Sequence, residues 1–404
     1  MSNSFWSSPH TVVRVAGGRP AQRLRRLPRR RIHHTGLCLA LSAGLLLSTL
    51  VGEAQALVVA PTTMQSPTAA ARSTEPGSVQ ALLSGGPGSV RDIVLNAPPG
   101  HARAAATQTP DETPVTAPDG SVVYVSVADD YAPDVGSVET YVAFLASLAH
   151  GPELSQLHLR LVSPDQMRSE CGHADVLACY RAFDDLMIVP GRTQLTKTGP
   201  SPEYLLAHEY GHHLANHRLD PPWQGIELGP KRWSSLVRAC SRITHHVLSP
   251  SAQGSGYLLN PGENWAEVYA HLRFPSAPWT FTPLLRPTAA ALVAARRDIT
   301  DPWTHPKLRT SIATLSAHHV RAALRLALTL DGSISATVAG PARGRAELSL
   351  VQGTHVFAHA RTSHGRATVH LRYACRDRRT ETLTVRLDRL SGEGRFHLSA
   401  TYAG

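Results

Sequence analysis

The pentapeptide His208-Glu209-Tyr210-Gly211-His212 constrains this chain more than any other stretch. It lies in a segment, Pro202 to His217, that predicts a helix, with Leu205, Leu206 and Leu214 available to bury one side. Residues four apart on a helix stand one above the other on one face. His208 and His212 can therefore offer two imidazoles to a single cation, an arrangement that suits zinc. Glu209, one position on, can reach a water beside that cation and take its proton. Gly211 is expected to remove bulk next to the ion.

Charge excludes one class of function. The net charge of +10 is concentrated at the start, because residues 1–56 hold eight Arg and one Glu. Subtracting these from 40 basic and 30 acidic residues leaves 32 against 29, or +3. That balance gives no basis for nucleic-acid binding.

The same N-terminal region predicts export. Arg23, Arg25, Arg26, Arg29, Arg30 and Arg31 precede an apolar run from Leu37 to Val51, followed by the small-x-small site Ala54-Gln55-Ala56. A basic region, a short apolar core and such a site make a signal peptide over 1–56. The run is short for a membrane span, and Glu53 closes it. The protein is expected to be secreted; an uncleaved anchor, facing outside, is the alternative and the one route to a membrane partner. Four cysteines remain beyond the signal: Cys171, Cys179, Cys240 and Cys375. An even number in an exported chain predicts two disulfides, and the spacing favours Cys171 with Cys179 and Cys240 with Cys375 among three pairings.

Residues 57–119 are rich in Pro, Ala, Thr, Ser and Gly and read as a disordered linker or pro-region, with brief local structure allowed at Val79 to Leu83 and Val90 to Leu95. Beyond them, Ser121 to Val127, Leu157 to Val162 and Asp185 to Val189 predict strands, and Ser137 to His150 an amphipathic helix. Cys171 to Cys179 reads as a loop excursion. Pro230 to Val247 and Ala289 to Ile299 predict further helices, and Lys307 to Thr329 a helical stretch passing into strand. Around Asp331-Gly332 two alternating runs predict a hairpin. Alternating runs continue at Ala346 to Val351, His355 to Ala360, Ala367 to Tyr373, Leu383 to Leu387 and Phe396 to Tyr402, a pattern of short strands that argues a small β-sandwich.

A third metal ligand is sought downstream. The pattern His-Glu-x-x-His-x-x-Gly-x-x-His fails, because positions 215 and 218 hold Ala215 and Arg218. His217 is one position early, so it and His213 are expected at the surface. Further on, Gly262-Glu263-Asn264-Trp265-Ala266-Glu267 predicts a helix with Glu263 and Glu267 on one face. Together with His208-Glu209-x-x-His212 this resembles the gluzincins, zinc metallopeptidases of the zincin group whose third ligand is a glutamate. The resemblance implies Zn2+ held by His208, His212 and Glu263, with Glu267 orienting His208 from behind and Glu209 as general base. The reversed assignment, Glu267 on the metal, is the internal alternative. Tyr257 is similar in placement to a tyrosine that stabilises the oxyanion in some gluzincins; Tyr210 and His271 are its rivals. In such enzymes a sheet edge binds the peptide by strand addition, and one of the strands just before the His-Glu helix is the candidate here.

The expected architecture is thus α+β: a zincin-like metallopeptidase domain at 120–320 followed by a small all-β sandwich-like domain at 321–404. The expected activity is that of a secreted zinc endopeptidase acting on peptide or protein substrates. A non-catalytic adhesion or binding protein that works through the β domain, and a zinc amidase on a non-peptide substrate, are the competing readings.

Overall fold

A computed structural model describes residues 92–95, 111–129, 138–172, 176–191, 200–251, 254–378 and 380–404. The expected signal peptide lies outside the described residues, as does most of the expected linker.

Short strands build the first layer. The strands are β1 (Asp92–Leu95), β2 (Thr113–Thr116), β3 (Val122–Val127), β4 (His158–Val162), β5 (Ala178–Arg181) and β6 (Leu186–Pro190). They form one mixed sheet in the order β1-β5-β6-β4-β3-β2. The pairs β3/β4 and β4/β6 are parallel, β5/β6 and β2/β3 antiparallel, and β1/β5 parallel. Two of these strands come from the stretch read as disordered linker or pro-region: β1 falls where brief local structure is allowed, at Val90 to Leu95, and β2 is not expected. β2 is held because Thr113 to Thr116 folds back on β3 across Ala117–Gly120, and β1 because it adds to the side of β5. For β1, local composition carries no sign of a pairing partner as distant as β5.

Caps fix the helices. α1 (Val138–Ser147) and α2 (Pro164–Cys171) flank the sheet, and α2 is tied to β5 by the Cys171–Cys179 disulfide. α3 (Pro202–Asn216) begins at Ser201, whose hydroxyl accepts from Tyr204 N–H at 3.2 Å, with Pro202 in the first turn. A side-chain oxygen cap followed by proline is a strong start signal, since the side chain satisfies a free N–H and the ring needs none. The same device recurs at α7 (Pro261–Arg273), where Asn260 accepts from Gly262 N–H at 3.0 Å. Between them stand α4 (Gly225–Leu228), α5 (Lys231–Leu236) and α6 (Ala239–Thr244), and α8 (Ala289–Thr300) follows. The single helix expected from Pro230 to Val247 is therefore two. Arg238, in a left-handed conformation at φ 58°, breaks it. Leu205, Leu206, Leu214, Trp233, Trp265 and Val268 are buried in one core with sheet residues Leu159, Leu161, Met187 and Val189.

The remainder is all β. β7 (Lys307–Leu315), β9 (Gly332–Ala339), β12 (Arg366–Ala374) and β14 (Gly394–Tyr402) make one four-stranded sheet. β8 (Arg321–Leu328), β10 (Arg345–Gln352), β11 (His355–Arg361) and β13 (Glu381–Ser391) make a second. Residues from both sheets, among them Leu326, Leu348, Val385, Ala336, Phe396 and Leu398, share one core, so the pair forms a sandwich. Two expectations fail here. Lys307 to Thr329 holds no helix, because Lys307–Leu315 pairs along its whole length with β14. Asp331-Gly332 does not close a hairpin either: β8 and β9 belong to different sheets, and the turn carries the chain between them. The cause is tertiary. Asp331 is buried, its N–H donates to Ser235 Oγ at 2.8 Å, and its carboxylate accepts from Arg376 N and Nε at 3.0 and 2.9 Å.

Candidate metal centre

Helices α3 and α7 cross tightly because both present small residues at the contact. A Cβ on Gly211 would stand 2.8 Å from the Cα of Ala266 and 3.1 Å from Tyr269 Cβ. The glycine thus makes room for the second helix, not for an ion as the sequence suggested. Its carbonyl also accepts from Trp265 Nε1 at 2.9 Å, which fixes the rotation of one helix against the other.

That crossing brings His208, His212 and Glu263 together, each offering one donor atom within 4.8 Å of the others. Glu263 Oε2 lies 3.1 Å from His212 Nε2 and 3.6 Å from His208 Nε2. Ligand atoms about 2.0–2.1 Å from a tetrahedral zinc stand roughly 3.3 Å apart, so these separations bracket the spacing such an ion requires. The donor set, two imidazoles and a carboxylate, also matches zinc chemistry.

Glu267 is one turn further along α7 on the same face and meets the other ring nitrogen of His208. Its Oε2 lies 3.1 Å from His208 Nδ1, and its Oε1 accepts from Tyr204 OH at 2.7 Å. Both oxygens are thereby engaged behind His208, which leaves Glu263 as the carboxylate facing the two Nε2 atoms. A carboxylate on Nδ1 favours the tautomer with its proton there and the Nε2 lone pair forward. Asn260 adds a contact at 3.4 Å to Glu263 Oε1. Tyr204 was missed in the sequence, although it stands four residues before His208 and so shares its face.

Glu209 is fully buried beside this cluster. The remaining expected residues are dispersed around it. Tyr257 packs its ring on Phe281 at 5.4 Å, and Phe281 stacks on His208 at 6.2 Å, so the tyrosine forms an outer wall. Tyr210 donates to Glu153 Oε1 on the opposite side of the helix, and His271 is engaged by the carbonyls of Glu267 and Ala277.

His213 and His217, expected at the surface, instead enter a second group with Asp185. Asp185 Oδ1 accepts from Tyr180 OH at 2.8 Å and Asn216 Nδ2 at 3.0 Å and lies 3.0 Å from His217 Nε2. His213 Nε2 faces the carbonyl of Glu153 at 2.9 Å, and its Nδ1 faces Tyr180 OH at 3.0 Å. Burial, with His217 alongside, pushes the His213 pKa down to about 3, so its ring stays neutral. With one aspartate oxygen serving three partners, these groups form a strut between α3 and the sheet. Arg218, where a third histidine would stand in the failed pattern, pairs with Glu153 at 3.2 Å.

No protein-family model matches the chain, and no curated protein matches it. Similar solved structures include the pre-peptidase C-terminal domain of a collagenase from Bacillus anthracis. It is 13% identical over 23% of this chain and 87% of that one, with a TM-score of 0.19. A mitogen from Yersinia pseudotuberculosis is also 13% identical, over 24% of this chain and 86% of that one, with a TM-score of 0.17. Neither likeness is close enough to carry an argument about this chain.

Proposed function

We propose that this protein is an exported zinc endopeptidase of the gluzincin type, its zincin-like domain built on the mixed sheet and α3 to α8. The single observation that supports this most is Glu263 Oε2 at 3.1 and 3.6 Å from the Nε2 atoms of His212 and His208. Zinc held there would supply Lewis acidity, polarising a peptide carbonyl and lowering the pKa of a water. His208 is oriented by Glu267, which is itself oriented by Tyr204. Glu209 accepts the proton released as water attacks and returns it to the leaving amine. Two disulfides fit an exported protein, and among the described residues no helix is long and apolar enough to cross a membrane.

The test pairs metal content with hydrolysis. Purified chain and its Glu209→Gln variant are each analysed for zinc and incubated with unfolded casein. Zinc in both, with cleavage by the parent alone, supports the assignment. Cleavage at equal rates in both removes Glu209 from the mechanism, and absence of zinc from the parent overturns the metal centre.

A further inference from the structure

Three residues of α3 define which strand lies beside the proposed base. Glu209, His213 and Asn216 are spaced i, i+4 and i+7 and form one stripe on the helix. That stripe faces β5. His213 Nδ1 lies 3.0 Å from Tyr180 OH, and Asn216 Nδ2 donates to Tyr180 OH and to the carbonyl of Ala182 at 3.1 and 2.8 Å. Later strand residues meet later helix residues, so β5 runs alongside α3 in the same direction. Stepping back two residues from Tyr180 covers roughly 6.6 Å of strand, equal to about four residues of helix. Ala178, the first residue of β5, thereby comes level with Glu209.

One side of β5 is bonded antiparallel to β6. Its other side is the sheet edge nearest the proposed base, where an extended peptide would add by backbone hydrogen bonds. The protein fills that edge with its own chain. Asp92 to Leu95 pairs there in register with Ala178 to Arg181, parallel to β5. The connectivity is unusual for a structural strand. Consecutive strands mostly neighbour each other, yet β1 and β2 stand at opposite edges of the six-stranded sheet. The β2/β3 hairpin and the strands from β4 to β6 close the rest of the sheet without it. His208, Glu209, His212 and Glu263 beside the β5 edge are all 0% exposed.

We propose that β1 sits in the docking groove for an extended peptide and holds the protein latent until it is displaced or cut away. This rests on the peptidase reading for its consequence, but the docking groove can be tested without catalysis. Two backbone-breaking substitutions, Ile93→Pro and Val94→Pro, remove N–H donors on both alternating faces of the strand ladder. They are made together, once in the Glu209→Gln background and once in the active chain. The milder pair Ile93→Gly and Val94→Gly guards against a variant that fails to fold, with a thermal melt as the check.

Binding of a fluorescein-labelled casein decapeptide is followed by anisotropy in the Glu209→Gln background. The expected result is at least tenfold tighter binding when β1 is broken, reversed by a synthetic peptide of residues 89–98. In the active chain the casein cleavage rate should rise at least tenfold. Unchanged peptide affinity in both folded variants overturns the inference, whatever the cleavage rates. Tighter binding with zinc present but no cleavage in any variant would leave the docking groove standing and remove the peptidase function instead.

Discussion

Glu267 Oε2 lies 3.1 Å from His208 Nδ1, on the side of the ring away from Glu263. This contact is made on the far side of the ring from the Nε2 that faces Glu263, yet it sets where the His208 lone pair points. Glu267→Gln keeps the shape and removes the charge. Zinc affinity is expected to fall about 10- to 100-fold, the usual cost of losing such a partner. Tyr204→Phe, which removes the 2.7 Å bond to the other oxygen of Glu267, should follow in the same direction with a smaller drop. Competition with a fluorescent chelator measures both. Unchanged affinity in Glu267→Gln would show that packing alone orients His208.

Gly211 predicts a steric effect. An alanine there drives a methyl to 2.8 Å from Ala266 Cα, which is backbone and cannot rotate away. Separating the helices costs about 1–3 kcal/mol as overpacking and moves Glu263 away from the histidines. Gly211→Ala should lower both the melting temperature and zinc affinity. A loss of stability with full zinc affinity would mean that the helices shift without opening the cluster.

The two helices of the candidate site were legible because their signal is local, a four-residue spacing of His208 and His212 on one and of Glu263 and Glu267 on the other. The strands β3, β4 and β6 and the alternating runs of the sandwich were legible for the same reason, each carrying its own periodicity. What was missed depends on distant partners. Asp331-Gly332 has hairpin chemistry, but Ser235 and Arg376 hold it as a crossing between sheets. His213 and His217 have the composition of a surface, and Asp185, itself a turn residue at φ 55°, draws them inward. β1 falls in a run where local structure is allowed, but its partner β5 lies far along the chain and leaves no local sign. Arg238 contains no helix-breaking side chain, so the split of α5 from α6 had no sign in the sequence.

The disulfides should differ in worth. Cys171–Cys179 closes a separation of 8 residues and Cys240–Cys375 one of 135. Loop-closure entropy assigns about 2.5 kcal/mol to the first and about 5 kcal/mol to the second. The second also pins α6 to the sandwich beside the 2.5 Å contact of Ser241 Oγ with Asp377 Oδ1. Replacing Cys240 and Cys375 by serine should therefore lower the denaturation midpoint more than replacing Cys171 and Cys179. Equal midpoints would show that contacts across the sandwich already restrain the reduced chain.

Asp298 makes the stability of the helical layer depend on pH. Its carboxylate accepts from Trp233 N–H at 2.7 Å and Arg232 N–H at 3.0 Å, at the start of α5. Burial nevertheless dominates and raises its pKa to about 7, with the nearby Asp220 adding to the rise. The folded state therefore holds this proton over a range in which the unfolded chain, with a pKa near 3.8, has released it. The contribution of Asp298 to stability is complete below about pH 4 and is lost as pH climbs through about 7, at up to roughly 1.4 kcal/mol per pH unit. Asp298→Asn cannot titrate. The parent should exceed the variant in melting temperature by the largest margin near pH 4, and the margin should shrink steadily toward pH 7. His213 titrates in the opposite sense, losing stability as pH falls from 6.5 toward 3, but it is present in both proteins and cancels in the difference. A margin constant from pH 4 to 7 would show that Asp298 is ionised throughout, held by the two N–H groups against its burial.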